Sequence, residues 1–257
     1  MEHELLTVTN LNKSFGGIHA LHNVNLTIHA HEIHCFAGIN GSGKSTFIKC
    51  VSGIYAPDSG QIFLNGKQYE SLSPTQAISE GVQVIYQDLS LFPHLTVAEN
   101  IAISCVMNKP GGKVRWKEIY SIARAQLEKI GVAMDLNATV QESTMANCQL
   151  IAICRALAMD AKLIFMDEPT TALTGREVKR LMSIVAELKK KGYAIIFISH
   201  KLDEIFDIAD TITVFRDGKI VGNFARSQID KEQLTQHMTG RQVSYPRYVR
   251  GASTKAE

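Results

Sequence analysis

The sequence predicts an α/β fold in which a parallel-sheet core carries an N-terminal antiparallel β subdomain and an inserted α-helical subdomain. An apolar run at 33–37 leads into a glycine-rich loop and then into a helix that starts near Ser45. Two further predicted strands, 163–167 and 194–199, are mainly apolar and are separated by an amphipathic helix at 176–190, which is the order of a parallel sheet. From about residue 88 to 160 the pattern is mainly helical, with its strongest helix from Trp116 to Gly131.

Turn signals and alternating apolar residues place the β-rich parts. Val24, Leu26 and Ile28 alternate with polar residues, as expected for a half-buried strand. Pro57–Gly60 and Asn65-Gly66 bracket a strand at 61–64, and Asp217-Gly218 marks a hairpin between strands at 212–215 and 219–221. We therefore expect a core of residues 1–87 and 161–244, a helical subdomain of 88–160, and a polar, disordered tail at 245–257.

The glycine-rich loop has the pattern of a phosphate-binding loop. Its glycines allow a tight turn that aims several backbone N–H groups at an anion, and the helix that follows adds the positive end of its dipole. Lys44 supplies a charge for the β- and γ-phosphates, and the Ser45 hydroxyl is a ligand suited to Mg²⁺. The predicted nucleotide-binding residues are Gly38, Ile39, Asn40, Gly41, Ser42, Gly43, Lys44, Ser45 and Thr46.

A second site is predicted where the apolar run at 163–166 ends in Asp167, Glu168 and Pro169. Asp167 suits a carboxylate that holds Mg²⁺, directly or through water, and Glu168 suits a group that polarises the attacking water. Alone, the motif also allows the alternative of a strand that ends in solvated acids before a proline turn. Together with the loop at 38–45, it favours a site that hydrolyses a nucleoside triphosphate.

Composition is that of an ordinary globular protein. Of the 257 residues, 45% are hydrophobic and 20% charged, and the formal net charge of +2 does not indicate a nucleic-acid partner. The run Lys189–Lys191 before Gly192 is typical of a helix C-terminus. The five cysteines contain no Cys-x-x-Cys pair and are interpreted as reduced core residues of a cytoplasmic protein. We expect no secretory signal and no membrane-spanning segment, so that any membrane role depends on a partner.

With these motifs in this order, the chain resembles the nucleotide-binding subunit of an ATP-binding cassette (ABC) transporter over nearly its whole length. That resemblance implies a P-loop NTPase core of the RecA-like type. It also gives roles to three more residues. Phe15 matches the aromatic residue that stacks on adenine, Gln87 matches the glutamine that touches Mg²⁺ and the hydrolytic water, and His200 matches the histidine at the γ-phosphate.

The segment that matches the family's signature sequence departs from its usual form, which is close to LSGGQ. Here it is Ser143-Thr144-Met145-Ala146-Asn147, followed by Cys148-Gln149 and a helix predicted at 150–157. Thr144 keeps a hydroxyl for the phosphate held by the opposing subunit, whereas Ala146 adds a methyl group where glycine allows close approach. Thr174 stands where many members carry Asp, and this Ala-Leu-Thr form resembles the first cassette of the sugar-import branch.

The resemblance implies an ATPase that uses ATP and Mg²⁺ to energise an importer of a sugar or related small polar solute, working as a head-to-tail dimer. Its expected partners are transmembrane permease subunits, a second cassette and, indirectly, a periplasmic or extracellular solute-binding protein, at the cytoplasmic face of the membrane. The apolar stretch 89–100 is the expected docking surface for the permease. The alternatives are a soluble cassette ATPase not linked to transport and a regulatory subunit with little turnover. The sequence leaves open the solute, homodimer or heterodimer assembly, and whether the chain is a whole subunit or half of a tandem protein.

Overall fold

The computed structural model describes residues 4–107 and 115–240; of Met107 only the backbone is described. The predicted tail at 245–257 lies outside these residues. In chain order the helices and strands are β1 Glu4–Phe15, β2 Ile18–His29, β3 Ile33–Ala37, α1 Lys44–Val51, β4 Ser59–Leu64, β5 Lys67–Tyr69, α2 Pro74–Ser79, β6 Val82–Ile85, α3 Val97–Met107, α4 Trp116–Lys129, α5 Met145–Ala158, β7 Leu163–Asp167, α6 Gly175–Lys190, β8 Ala194–Ile198, α7 Leu202–Ile208, β9 Thr211–Arg216, β10 Lys219–Ala225 and α8 Lys231–Thr239.

The strands form two sheets. The larger has six strands in the order β10-β9-β3-β8-β7-β6, and all of its neighbouring pairs are parallel except β9 with β10. The smaller has four antiparallel strands in the order β2-β1-β4-β5. The predicted fold class is therefore confirmed, as are the hairpin at Asp217-Gly218 and the turn at Asn65-Gly66.

Two apolar cores cover the two faces of the parallel sheet. In β3, Cys35 packs with the helices on one face, whereas Phe36 packs on the other face with α1 and the antiparallel sheet. Both faces of β3 and β8 are buried, and their sequences are accordingly almost continuously apolar. All five cysteines are free; Cys105 is half-buried and the other four are buried.

The phosphate loop rests on a cluster of three phenylalanine rings. Phe36 of β3, Phe47 of α1 and Phe215 of β9 are fully buried, with ring centroids 5.0–5.8 Å apart. The turn between β9 and β10 also contacts the loop, since the Gly218 amide donates to the Ser42 carbonyl at 3.1 Å. Aromatic contacts of this kind add about 0.5–1.5 kcal/mol per pair beyond burial, and they fix α1 relative to the sheet.

One predicted boundary is wrong. The helix after the signature-like segment begins at Met145 and not at Leu150, so that Ala146, Cys148 and Gln149 are helical. The physical reason is a helix cap, because Thr144 has extended backbone geometry and its hydroxyl accepts a hydrogen bond from the Asn147 amide at 3.3 Å. Within the described ranges, no helix has both the length and the apolar composition needed to cross a bilayer.

Candidate functional site

Most of the predicted site residues gather at the carboxyl ends of the parallel strands, and Phe15, Thr144 and Ala146 do not. The phosphate loop follows β3, Gln87 follows β6, Asp167 ends β7, and His200 follows β8. In open parallel sheets, ligands bind in the crevice at this edge. A cavity of about 370 Å³ lies there, lined by Ala20, Asn40, Gly41, Ser42, Gly43, Lys44, Ser45, Thr46, Gln87, Asp167 and Glu168.

Two glycines of the loop are required by close backbone contacts. A Cβ on Gly38 would lie 2.4 Å from the Phe215 carbonyl oxygen, and one on Gly43 would lie 2.7 Å from that of Ala20. Gly43 has a φ of 108° and is the residue before α1, so the loop turns directly into the helix N-terminus. The backbone N–H groups at this end of α1 can therefore be presented to an anion in the cavity.

The Lys44 ammonium folds back over the loop. It donates to the carbonyl oxygens of Gly38 at 2.7 Å and Ile39 at 2.9 Å and to the Ser42 hydroxyl at 3.1 Å. Burial lowers the pKa of Lys44, while the charges of Glu168 and Asp167 act in the opposite direction. An anion beside this ammonium would offset the cost of its burial.

Asp167 and Glu168 give the same cavity a negative side. Burial, with the Glu168 charge, raises the pKa of Asp167, and Lys44 acts against them. A divalent cation beside Asp167 would stabilise its carboxylate. Ser45 and Gln87 line the same cavity and add a hydroxyl and an amide oxygen, so these three residues offer the oxygen ligands that Mg²⁺ prefers.

Glu168 is held in an unusual backbone conformation beside His200. Its φ is 48°, in the left-handed region that residues other than glycine rarely adopt. Its Oε1 atom lies 3.1 Å from His200 Nδ1, and its Oε2 atom accepts from the Thr171 hydroxyl at 3.3 Å. Strained backbone of this kind is concentrated at functional sites. Glu168 lines the cavity, whereas His200 contacts Glu168 and does not itself line the cavity.

Sequence reasoning missed a residue that fixes the turn after Gln87. Arg155 of α5 donates to the carbonyl oxygens of Leu89 and Ser90, both at 2.7 Å. Both acceptor residues have positive φ, of 56° and 45°. Burial lowers the pKa of Arg155. This guanidinium joins the turn after Gln87 to α5, the helix of the signature-like segment. No local pattern in the sequence predicts such a contact.

Phe15 lies outside the cavity and is 43% exposed. Its ring packs edge-on against Tyr55 with centroids 5.2 Å apart, and the Lys13 ammonium lies 5.4 Å from its centroid. An exposed ring with one supported edge is available for stacking on a planar ligand. Tyr55 is a second aromatic residue here that the sequence analysis did not single out.

Thr144 and Ala146 are not brought to the phosphate loop. They line a different cavity of about 130 Å³ between α5 and α6, together with Asn147, Gln149, Leu150, Leu173, Glu177, Arg180 and Leu181. Gln149 is almost fully buried, and its Nε2 atom has no hydrogen-bond partner within the described residues. Within one chain, the signature-like segment and the phosphate loop therefore form separate surfaces.

The family model and the relatives that match this chain agree with one another. Residues 21–171 match the family model described as "ABC transporter". The chain is 42% identical over 237 residues to the ribose import ATP-binding protein RbsA 2 of Rubrobacter xylanophilus, covering 91% of this chain and 45% of that protein. It is 41% identical over 245 residues to the ribose import ATP-binding protein RbsA of Corynebacterium glutamicum, covering 95% of this chain and 46% of that protein.

The fold has close structural neighbours. A crystal form of MJ1267, an ATP-binding cassette of an ABC transporter, superposes with a TM-score of 0.79 at 26% sequence identity, covering 93% of this chain and 96% of that one. The present chain spans about half the length of the ribose import proteins it matches.

Proposed function

This chain belongs to the ABC transporter family, and we propose on that basis that it is the ATP-hydrolysing subunit of an importer for a sugar or a related small polar solute. The observation that carries the proposal is the convergence of the phosphate loop, Gln87, Asp167 and Glu168 on one cavity. The names of its ribose-importing relatives support a sugar as the solute.

In this proposal the loop at 38–46 binds the phosphates of ATP. Its backbone N–H groups and the Lys44 ammonium neutralise phosphate charge, and the dipole of α1 adds to that effect. Ser45, Gln87 and Asp167 would hold Mg²⁺, which would supply further charge neutralisation when bound. Phe15, supported by Tyr55, stacks on the adenine ring.

Glu168 acts on the attacking water. Its carboxylate accepts a proton from the water as the water oxygen bonds to the γ-phosphorus and the bond from that phosphorus to the β–γ bridging oxygen breaks, which releases ADP. Such a role contributes about 10²- to 10⁴-fold in rate. His200 contacts the γ-phosphate and holds Glu168 through the hydrogen bond between Nδ1 and Oε1. The two residues therefore act as one unit at the end of β7 and β8.

The separation of the signature-like segment from the loop supports action as a dimer. Thr144 and Ala146 would meet ATP held by a second cassette in a head-to-tail arrangement, which places ATP at the interface.

We assign residues 1–87 and 161–244 to the cassette core and 88–160 to the helical signature subdomain. Residues 89–100 would receive a permease subunit at the cytoplasmic face of the membrane, with a solute-binding protein acting on the other side.

Purified chain and a Lys44→Ala variant test the proposal. We expect the wild-type chain to gain thermal stability with Mg²⁺ and ATP and to release phosphate, and the variant to lose both effects because it lacks the charge at the loop. Lys190→Ala, which removes an exposed ammonium paired with Glu187, is the matched control. Tight ATP binding by Lys44→Ala would contradict the site. Binding without any hydrolysis by the wild-type chain would favour a regulatory subunit.

A further inference from the structure

The side chain of Glu204 is buried between the two loops that carry Glu168 and His200. Glu204 lies in the first turn of α7 and is 7% exposed. Its Oε2 atom accepts hydrogen bonds from the Thr170 hydroxyl at 2.7 Å and from the Ser199 hydroxyl at 2.8 Å. Thr170 comes two residues after Glu168, and Ser199 directly precedes His200. One carboxylate oxygen therefore joins the loop after β7 to the loop after β8.

The second oxygen of Glu204 completes the network. Oε1 pairs with the Lys201 ammonium at 3.0 Å, and this ammonium also lies 3.3 Å from the carbonyl oxygen and the hydroxyl of Thr170. The Ser199 hydroxyl further accepts from the Lys201 amide at 3.1 Å. Thr170 and Ser199 are almost completely buried. Buried polar groups that satisfy one another in this way rigidify the segments that carry them.

We propose that Glu204 is a positioning residue for ATP hydrolysis, which keeps Glu168 and His200 in register through Thr170 and Ser199. It does not line the nucleotide cavity. Glu168 has a strained φ of 48°, and such a conformation persists only when its surroundings fix it. The His200 side chain is 52% exposed, so its place is set by its backbone and by Glu168. This inference rests on the proposed hydrolysis of ATP.

A matched pair of variants tests the contribution of the Thr170 hydroxyl to this hydrogen-bond network. Thr170→Val removes the hydroxyl and keeps the shape of the side chain, whereas Thr170→Ser keeps the hydroxyl. Since misplacing a catalytic group by about 1 Å can cost about 10²-fold in rate, we expect Thr170→Val to lower kcat by about 10- to 100-fold and to leave the KM for ATP nearly unchanged. Thr170→Ser should stay near the wild-type kcat. Glu204→Gln should resemble Thr170→Val, because its amide N–H group would face either the Lys201 ammonium or the two hydroxyls that donate to Glu204.

Glu32 offers a control carboxylate at the opposite end of the same sheet. Its side chain is 13% exposed; it accepts from the His29 amide at 2.8 Å and the Thr211 hydroxyl at 3.3 Å, and it pairs with His34 at 3.2 Å. Glu32→Gln should destabilise the fold as Glu204→Gln does, but without lowering kcat. Equal losses of kcat in the two variants would show a general structural role and overturn the proposal, as would an unchanged kcat in Thr170→Val and Glu204→Gln.

Hydrogen exchange gives a readout that does not depend on turnover. The backbone amides of residues 168–171 and 199–202 should exchange faster in Thr170→Val than in Thr170→Ser, with the rest of the sheet unchanged. Equal exchange in the two variants would overturn the proposal. A wild-type chain that binds ATP without hydrolysing it would contradict the proposed function, and the exchange result would then decide by itself whether Glu204 holds the two loops.

Discussion

The Nδ1 atom of His200 lies 3.1 Å from the Oε1 atom of Glu168, although the two residues follow different strands and are 32 positions apart. The carboxylate is the more enclosed partner, with 19% of its side chain exposed against 52% for the imidazole. His200 can therefore reach a ligand in solvent contact while it still holds Glu168. The geometry of the proposed base depends on this contact, and it depends on the loops that carry both residues.

The raised pKa of Asp167 gives a prediction about pH. Burial and the charge of Glu168 place the pKa of Asp167 above its ordinary value. The folded chain therefore holds this proton more tightly than the unfolded chain, and stability is lost as the pH rises through the raised pKa. Without nucleotide, Asp167→Asn should melt at a higher temperature than the wild type at pH 7, with the difference shrinking at pH 4. It should also lose the stabilisation by Mg²⁺ with ATP.

Asp58→Asn is the control with the opposite sign. Its hydrogen bond from Lys13 and that from the Ser14 amide lower the pKa of Asp58, so its stabilising effect is present at neutral pH and fades as the pH falls. This variant should melt at a lower temperature than the wild type at pH 7. A lower melting temperature for Asp167→Asn at pH 7 would contradict the destabilisation that burial and the Glu168 charge are expected to cause at the Asp167 carboxylate.

The altered signature-like segment predicts slow hydrolysis by the isolated chain. Ala146 adds a methyl group where a glycine-rich segment would approach the opposing nucleotide, so both sites of a homodimer would close poorly. The double variant Thr144→Ser with Ala146→Gly should raise kcat, because a restored hydrogen bond to a charged group is worth about 1.5–3 kcal/mol. Thr144→Ser alone keeps the helix cap on Asn147 and is the control. Brisk wild-type turnover, unchanged by the double variant, would show that this segment functions as it stands.

A partner surface is predicted near Phe92. Leu89 is buried and Leu91 packs against the core, whereas Phe92 is 54% exposed on a loop that the buried Asn100 side chain fixes through four hydrogen bonds. Phe92→Glu should abolish co-purification with the permease and leave ATP binding intact. Ile78→Glu, at an exposed position on α2, is the control. Normal transport by the Phe92→Glu variant would argue against docking at this loop.

Sequence reasoning succeeded where local residues decide the structure. Gly38, Gly41 and Gly43 between an apolar strand and a helix fix the phosphate loop, and Asp217-Gly218 fixes the hairpin, because each pattern acts within a few residues. The start of α5 was missed although the cap residue Thr144 signalled it.

The contacts of Arg155 with Leu89 and of Glu204 with Thr170 join positions at least 34 residues apart. Only the tertiary fold brings such residues together, so no spacing rule predicts them.

Glu168 is proposed as the water-activating base of an ATPase that closes as a dimer around ATP. The most direct measurement is made on Glu168→Gln with Mg²⁺ and ATP, beside the wild-type chain and the exposed control Glu187→Gln. We expect Glu168→Gln to bind ATP, to lose about 10²- to 10⁴-fold in turnover, and to accumulate as an ATP-bound dimer by light scattering. Wild-type turnover in Glu168→Gln, with its dependence on Mg²⁺ unchanged, would contradict the account.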